Sequence, residues 1–172
     1  MKKKFEIPAQ GRTGFTLIEL LIYMGILSIL LAALSQIFGS IIDAQLESEA
    51  TSSVQQDGRF IFSRLAYDIN RAQDSAGIIQ PASLGATSTA LQLNIDGVSY
   101  TYSLNGGNLE LAEGAVTNAL NSSETTVSNL SFTRLGNSGG KNTVQIEYTV
   151  TSKIIQPKGL ETKDFQTTIG IR

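Results

Sequence analysis

The sequence predicts an α+β chain, in which a long N-terminal helix, membrane-spanning in its first half, packs on an antiparallel β-sheet. Three observations carry that expectation. Leu20 to Ile42 is a run of 23 residues without a charged side chain, and about 20 apolar residues suffice to cross a bilayer. Beyond it, Leu46, Ala50, Val54, Gly58, Ile61, Leu65, Ile69 and Ala72 recur at steps of four and three, the spacing of one helical face. From Leu91 onward, apolar and polar residues alternate in short runs between glycine turns, the pattern of strands with one buried face.

Taken in order, residues 1–14 form a short basic leader, with Lys2, Lys3, Lys4 and Arg12 against Glu6 alone. The positive-inside rule places such a leader in the cytoplasm and the rest of the chain outside it. Residues 15–42 then form the span. Its polar members, Ser28, Ser35, Gln36 and Ser40, are uncharged, and serine hydroxyls can bond back to the helix backbone. Residues 43–74 continue the helix as an amphipathic segment, with Glu47, Glu49, Gln55, Gln56, Asp57, Arg59 and Arg64 assigned to the solvated face. No proline interrupts residues 9–80, so one helix of about 60 residues is expected, roughly 90 Å long. Gly25, Gly39 and Gly58 weaken it locally and are candidate bends or close-approach points.

Glu19 is the anomaly of the apolar segment. A carboxylate at the centre of a span costs about 2.5–3.5 kcal/mol on insertion scales. One reading is that it snorkels to the interface near the helix end. The other follows from a cut after Gly14, which would leave the new amine of Phe15 four residues, or about 6 Å, from this carboxylate. A staggered neighbouring helix could then present its own amine to Glu19 and neutralise it. An ordinary secretory signal cut near Ala33-Leu34-Ser35 is the rival reading. Its apolar region would be long for a signal, and the helical pattern runs past the cut.

Gly14-Phe15-Thr16-Leu17-Ile18-Glu19 resembles the cleavage and methylation motif of type IV prepilins and of the pseudopilins of type II secretion. A second stretch, Val54 to Ala72, contains Gln56-Asp57-Gly58-Arg59-Phe60 and then Leu65-Ala66-Tyr67-Asp68-Ile69-Asn70-Arg71-Ala72. It is similar to the helix end of the minor pilins lettered W and the minor pseudopilins lettered J. The resemblance implies a pilin-like fold and a structural subunit rather than an enzyme, with no cofactor. It implies cleavage between Gly14 and Phe15, and N-methylation of Phe15, by a membrane prepilin peptidase that is also a methyltransferase. It implies that Glu19 guides assembly by contacting a neighbour's N-terminus. The partners implied are other pilin or pseudopilin subunits, met through the N-terminal helix, and an inner-membrane assembly platform. The product would be a single-pass inner-membrane protein with an extracytoplasmic C-terminal domain, later drawn into a periplasmic or extracellular filament. Pilus, secretion and DNA-uptake machines remain equally open, as do a tip-adhesive module and an anchored protein that never polymerises. Major pilins of the family usually have proline at the position of Gln36, and this chain departs from that.

Residues 73–88, with Gly77, Pro81 and Gly85, read as a loop opening the domain at 75–172. A meander follows. Leu91, Leu93 and Ile95 alternate into Asp96-Gly97, a hairpin signal, and Val98, Tyr100, Tyr102 and Leu104 alternate back. Asn105-Gly106-Gly107 turns into Leu109 and Leu111. Residues 113–126 read as irregular, with a short helix conceivable from Ala115 to Leu120. Leu130 and Phe132 mark a further strand; Val144, Ile146, Tyr148 and Val150 another; Phe165, Thr167, Ile169 and Ile171 the last.

Composition narrows the chemistry. Removing residues 1–14 takes four of 13 basic and one of 15 acidic residues, leaving a net charge of −5. That argues against nucleic acid as the main partner. The chain has no histidine and no cysteine, so the commonest general base and zinc ligand, the thiol nucleophile and any disulfide are all missing. Lacking the C-terminal disulfide loop of many major pilins points mildly to a minor component. Gly136 to Asn142 imitates a phosphate loop but has Leu135 where the first glycine belongs and Asn142 where Ser or Thr is needed. Ser138 and Lys141 have the spacing of some acyl enzymes, in a turn too rich in glycine to hold them. Arg64, Asp68 and Arg71 read as a surface ladder or a subunit contact. Asp96, Glu110 and Glu113 are hairpin acids that could meet at a calcium ion, with nothing else in support; no metal site and no catalytic residue is expected.

Overall fold

The computed structural model describes residues 14–72, 77–137 and 140–171. Most of the basic leader, part of the 73–88 loop, and Ser138 of the acyl-enzyme spacing lie outside the described residues. The first element is α1, Leu17–Arg71, at 55 residues close to the length expected. It is unbroken through Gln36, whose carbonyl accepts the Ser40 hydroxyl at 3.1 Å; Ser28 bonds back to Met24 in the same way at 2.7 Å. The chain divides into two compact units, Met1–Ile42 and Asp43–Arg172.

In the first unit none of the described residues covers the helix. Every large apolar side chain from Phe15 to Ile42 is at least 41% exposed, and the segment is long and apolar enough to cross a membrane. A surface of this size cannot stay in water, because the cost scales with the apolar area exposed.

The second unit has its own core. Among the described residues nine strands follow the helix: β1 Ile78–Gln80, β2 Thr87–Ser88, β3 Leu91–Ile95, β4 Val98–Asn105, β5 Asn108–Glu113, β6 Val116–Ala119, β7 Thr125–Leu135, β8 Thr143–Ser152 and β9 Thr162–Gly170. They form two antiparallel sheets rather than one, ordered β1-β3-β4-β5-β6 and β2-β7-β8-β9. The helix stripe meets both. Val54, Ile61, Leu65 and Ile69 are buried with Leu91, Leu93, Tyr102 and Leu109 of the first sheet and Val127, Phe132, Val144 and Ile146 of the second. Burying one face of each element against the other is what gives the layers their stability.

Two hairpins form as their turn residues dictate. Asp96 and Gly97 have φ of 54° and 81°, and Gly106 and Gly107 have 56° and 83°, so both are two-residue turns with both central residues left-handed. The sequence expectation fails at residues 115–120. In place of a short helix, Gly114 at φ 59° opens another tight turn and Glu113 pairs with Val116, starting β6. A glycine at the first turn position suits the second mirror-image hairpin turn, and it reverses the chain before a helix can nucleate.

Candidate functional site

The helix starts one residue after Thr16, whose Oγ1 accepts the backbone N–H of Glu19 at 3.4 Å. Thr16-Leu17-Ile18-Glu19 is therefore an N-cap followed three residues later by a glutamate, the pattern of a capping box. The glutamate side chain turns the other way. Its Oε1 accepts the Tyr23 hydroxyl at 3.1 Å, one turn further on. The Phe15 and Tyr23 rings meet edge to face at 6.3 Å between centroids. Phe15, Glu19 and Tyr23 thus form one exposed face at the head of the helix.

Gly14 precedes this face, exposed and outside any regular element. A Cβ built on it would meet nothing within 4 Å, and its φ is not of the kind that requires glycine. Among the described residues nothing therefore demands glycine at position 14; a requirement for it would come from a molecule that grips the peptide bond. Tyr23 is the residue that sequence reading missed. Its spacing from Glu19, four residues on a helix, is the signal that could have found it.

The second constellation lies at the other end of the helix, and here the solvated ladder is corrected. Asp68 is fully buried. Its carboxylate accepts the Tyr102 hydroxyl and the Arg64 Nε, the latter at 2.9 Å, and lies 4.0 Å from Arg71 Nη1. Each arginine also reaches a hairpin acid: Arg71 to Asp96 at 3.3 Å and Arg64 to Glu113 at 3.8 Å. Glu113 in turn accepts the Tyr100 hydroxyl at 2.6 Å, while Glu110 accepts Asn105 Nδ2. Asp96, Glu110 and Glu113 thus go to separate partners, and among the described residues no group of three or more potential metal-binding side chains exists. Burial, and then the Asp68 carboxylate, push the Tyr102 phenol well above its ordinary range.

Asp57 is likewise buried rather than solvated. Its Oδ2 accepts the backbone N–H of Ser122 at 2.9 Å, the Ser122 hydroxyl at 2.7 Å and the Thr125 hydroxyl. The near-phosphate loop joins β7 to β8, and its Lys141 is exposed. Asn142 is buried and, with its amide oxygen turned toward it, accepts Arg134 Nη2 at 2.8 Å. Arg134 Nη1 is directed at the carbonyls of Ile78, Pro81 and Ala82, each at 3.2 Å. The guanidinium is a tie between strand and loop.

Residues 10–35 match the family model described as the prokaryotic N-terminal methylation motif. The match supports the type IV pilin and pseudopilin family, and it covers the helix head and most of the exposed apolar run. The motif implies processing by a prepilin peptidase and assembly with other pilins, in a family that is structural rather than catalytic. No curated protein and no solved structure gave a match.

Proposed function

We propose that this chain is a minor subunit of a type IV pilus-like or type II secretion filament, made as a prepilin and cut between Gly14 and Phe15. The new Phe15 amine is methylated, and the apolar helix holds the subunit in the inner membrane, with residues 43–172 outside, until it enters the filament. The observation that carries this reading is the methylation motif heading a helix whose large apolar side chains from Phe15 to Ile42 are exposed. Such a surface suits lipid first and a bundle of similar helices afterwards. The likeness of residues 54–72 to the W and J minor components is the support for a minor role.

Glu19 is assigned to assembly. The Tyr23 hydroxyl gives its carboxylate a hydrogen bond within the subunit, but a neutral donor leaves the charge in place. A neighbour's Phe15 amine would remove it.

Mass spectrometry of the membrane-extracted protein tests processing; the expected N-terminus is N-methylated Phe15. A start at Gln36 or an intact Met1 would sink the proposal. Gly14→Val should leave the leader attached without disturbing the fold. Glu19→Leu should be processed and inserted normally but be lost from filaments, since an unpaired buried amine costs about 3–5 kcal/mol. Equal filament recovery for Glu19→Leu and the natural chain would return Glu19 to a snorkelling role.

A further inference from the structure

Three side chains meet at the helix head, and Tyr23 touches both members of the assembly pair. Its hydroxyl donates to Glu19 Oε1 at 3.1 Å, and its ring meets that of Phe15 edge to face at 6.3 Å between centroids. Of residues 14–45, Glu19 is the one that is partly shielded from solvent; the others are exposed, Phe15 by 76% and Tyr23 by 54%. The carboxylate is thus held by its own subunit, while the residues one turn to either side of it stay open to a neighbour.

The direction in which it is held matters. Thr16 caps the helix: its carbonyl accepts the Leu20 N–H at 3.2 Å and its hydroxyl the Glu19 N–H at 3.4 Å. A glutamate in that place ordinarily reaches back to the capping residue's own N–H. After a cut behind Gly14, the backward position would lie toward the subunit's own Phe15 amine, one residue earlier in the chain. The two opposite charges are tethered in one molecule, so they could pair without a second one. A pair closed within a subunit leaves neither group for its neighbour. The Tyr23 hydroxyl draws the carboxylate the other way, one turn further along the helix. We propose that Tyr23 is a positioning residue, which keeps Glu19 off its own N-terminus and so reserves it for the amine of the next subunit. The proposal rests on the assembly role of Glu19 given above and adds the selectivity that role needs, pairing between copies rather than within one. Phenylalanine in place of Tyr23 would keep the ring beside Phe15 and lose only the donor.

The natural chain, Tyr23→Phe, Glu19→Leu and the double variant would be compared in cells that process and assemble the protein, by N-terminal mass and by filament-associated amount. Separately, the processed full-length chains would be returned to phosphatidylcholine vesicles at low density and treated with dicyclohexylcarbodiimide. That lipid-soluble reagent joins a carboxylate to an adjacent amine as an amide, taking up the water lost and leaving as its urea. Mixing ordinary and nitrogen-15 copies separates amides made within a chain from those made between chains. The expected result is about threefold more intrachain Phe15–Glu19 amide in Tyr23→Phe, the size of a typical side-chain hydrogen bond within a membrane. Filament recovery of Tyr23→Phe should fall by a similar factor with processing unchanged, and the double variant should assemble no worse than Glu19→Leu alone. If Glu19→Leu assembles as well as the natural chain, the role of Glu19 fails and that of Tyr23 with it. If Glu19→Leu is lost from filaments while Tyr23→Phe assembles normally, the Tyr23 proposal alone is overturned. Poor assembly of Tyr23→Phe without a rise in intrachain amide overturns it too, since the hydroxyl would then act on something other than the direction of Glu19. Loss of processing in Tyr23→Phe would place Tyr23 with the peptidase and overturn it likewise.

Discussion

Gly58 is where one missing side chain sets the fit of helix to sheet. A Cβ there would overlap the ring of Phe165, which stacks on Tyr148 at 5.3 Å. The Tyr148 hydroxyl donates to the Gly58 carbonyl at 2.7 Å, so ring and backbone are held together. Glycine was a candidate close-approach point in the sequence at 25, 39 and 58; at Gly25 and Gly39 an added Cβ meets nothing within the subunit. Gly58→Ala gains about 1 kcal/mol of helix propensity but overpacks the ring, at a cost of about 1–3 kcal/mol. Net destabilisation is expected in a urea melt, with recovery when Phe165→Leu is added; a more stable single variant would refute the close approach. Tyr102 gives the second prediction at this scale. Its phenol pKa is raised on folding by burial and by Asp68, above an unfolded value near 10. The folded state then holds the proton that the unfolded state has lost, so stability is fully present below about pH 10 and declines as pH rises above it. Tyr102→Phe should flatten that alkaline loss measurably, while lowering stability at neutral pH by about 1–3 kcal/mol because Asp68 loses a donor. An unchanged alkaline slope would show that Tyr102 is not the group responsible.

At the scale of elements, the helix and most strands were legible because each carries its period in its own residues. The exceptions have particular causes. Asp57 and Asp68 sit three residues after Val54 and Leu65, in register with the buried stripe. Charge type alone sent them to the solvated face, and the hydroxyl partners Tyr102, Ser122 and Thr125 lie on segments distant in the chain. Position on the stripe was the better guide. The strand β6 escaped because all four of its residues are exposed and none alternates. The division into two sheets was illegible because β2 pairs with β7, some 45 residues away, while its successor β3 pairs with β4. At the helix head the glycine, the phenylalanine and the glutamate were readable as a motif, whereas the Tyr23 bond needed the helix to be built. Asp57 joins the helix to the segment between β6 and β7, so it acts between elements. Asp57→Ala should leave the Ser122 and Thr125 donors unpaired and cost about 1.5–3 kcal/mol. Asp57→Asn, which keeps the shape, should cost less. Equal, negligible losses for both would show that water replaces the carboxylate without penalty.

The whole molecule separates into parts that answer to different solvents. Among the described residues the buried apolar side chains all lie from Ala50 onward, and the large apolar side chains from Phe15 to Ile42 are exposed. Stability of the outer part should then owe nothing to the segment before it. The fragment Gln45 to Arg172 keeps Ala50, Val54, Asp57, Gly58, Ile61, Leu65 and Asp68 on the helix and every strand of both sheets. Most helical stability in proteins comes from packing of an amphipathic face, so helicity in the fragment depends on the sheets the helix packs against. Helix and sheets should therefore melt together, in one transition with coincident far-ultraviolet and tyrosine signals. There is no cysteine to oxidise, so reductant should not move the midpoint. Chelator should not move it either, given the separate partners of Asp96, Glu110 and Glu113. A midpoint that falls by several degrees in chelator would mean that an ion binds the fold with appreciable affinity, since a ligand selective for the native state raises stability in proportion to ln(1 + [L]/Kd). A helix signal lost well before the sheet signal would show instead that the helix needs the apolar segment ahead of it to stay folded.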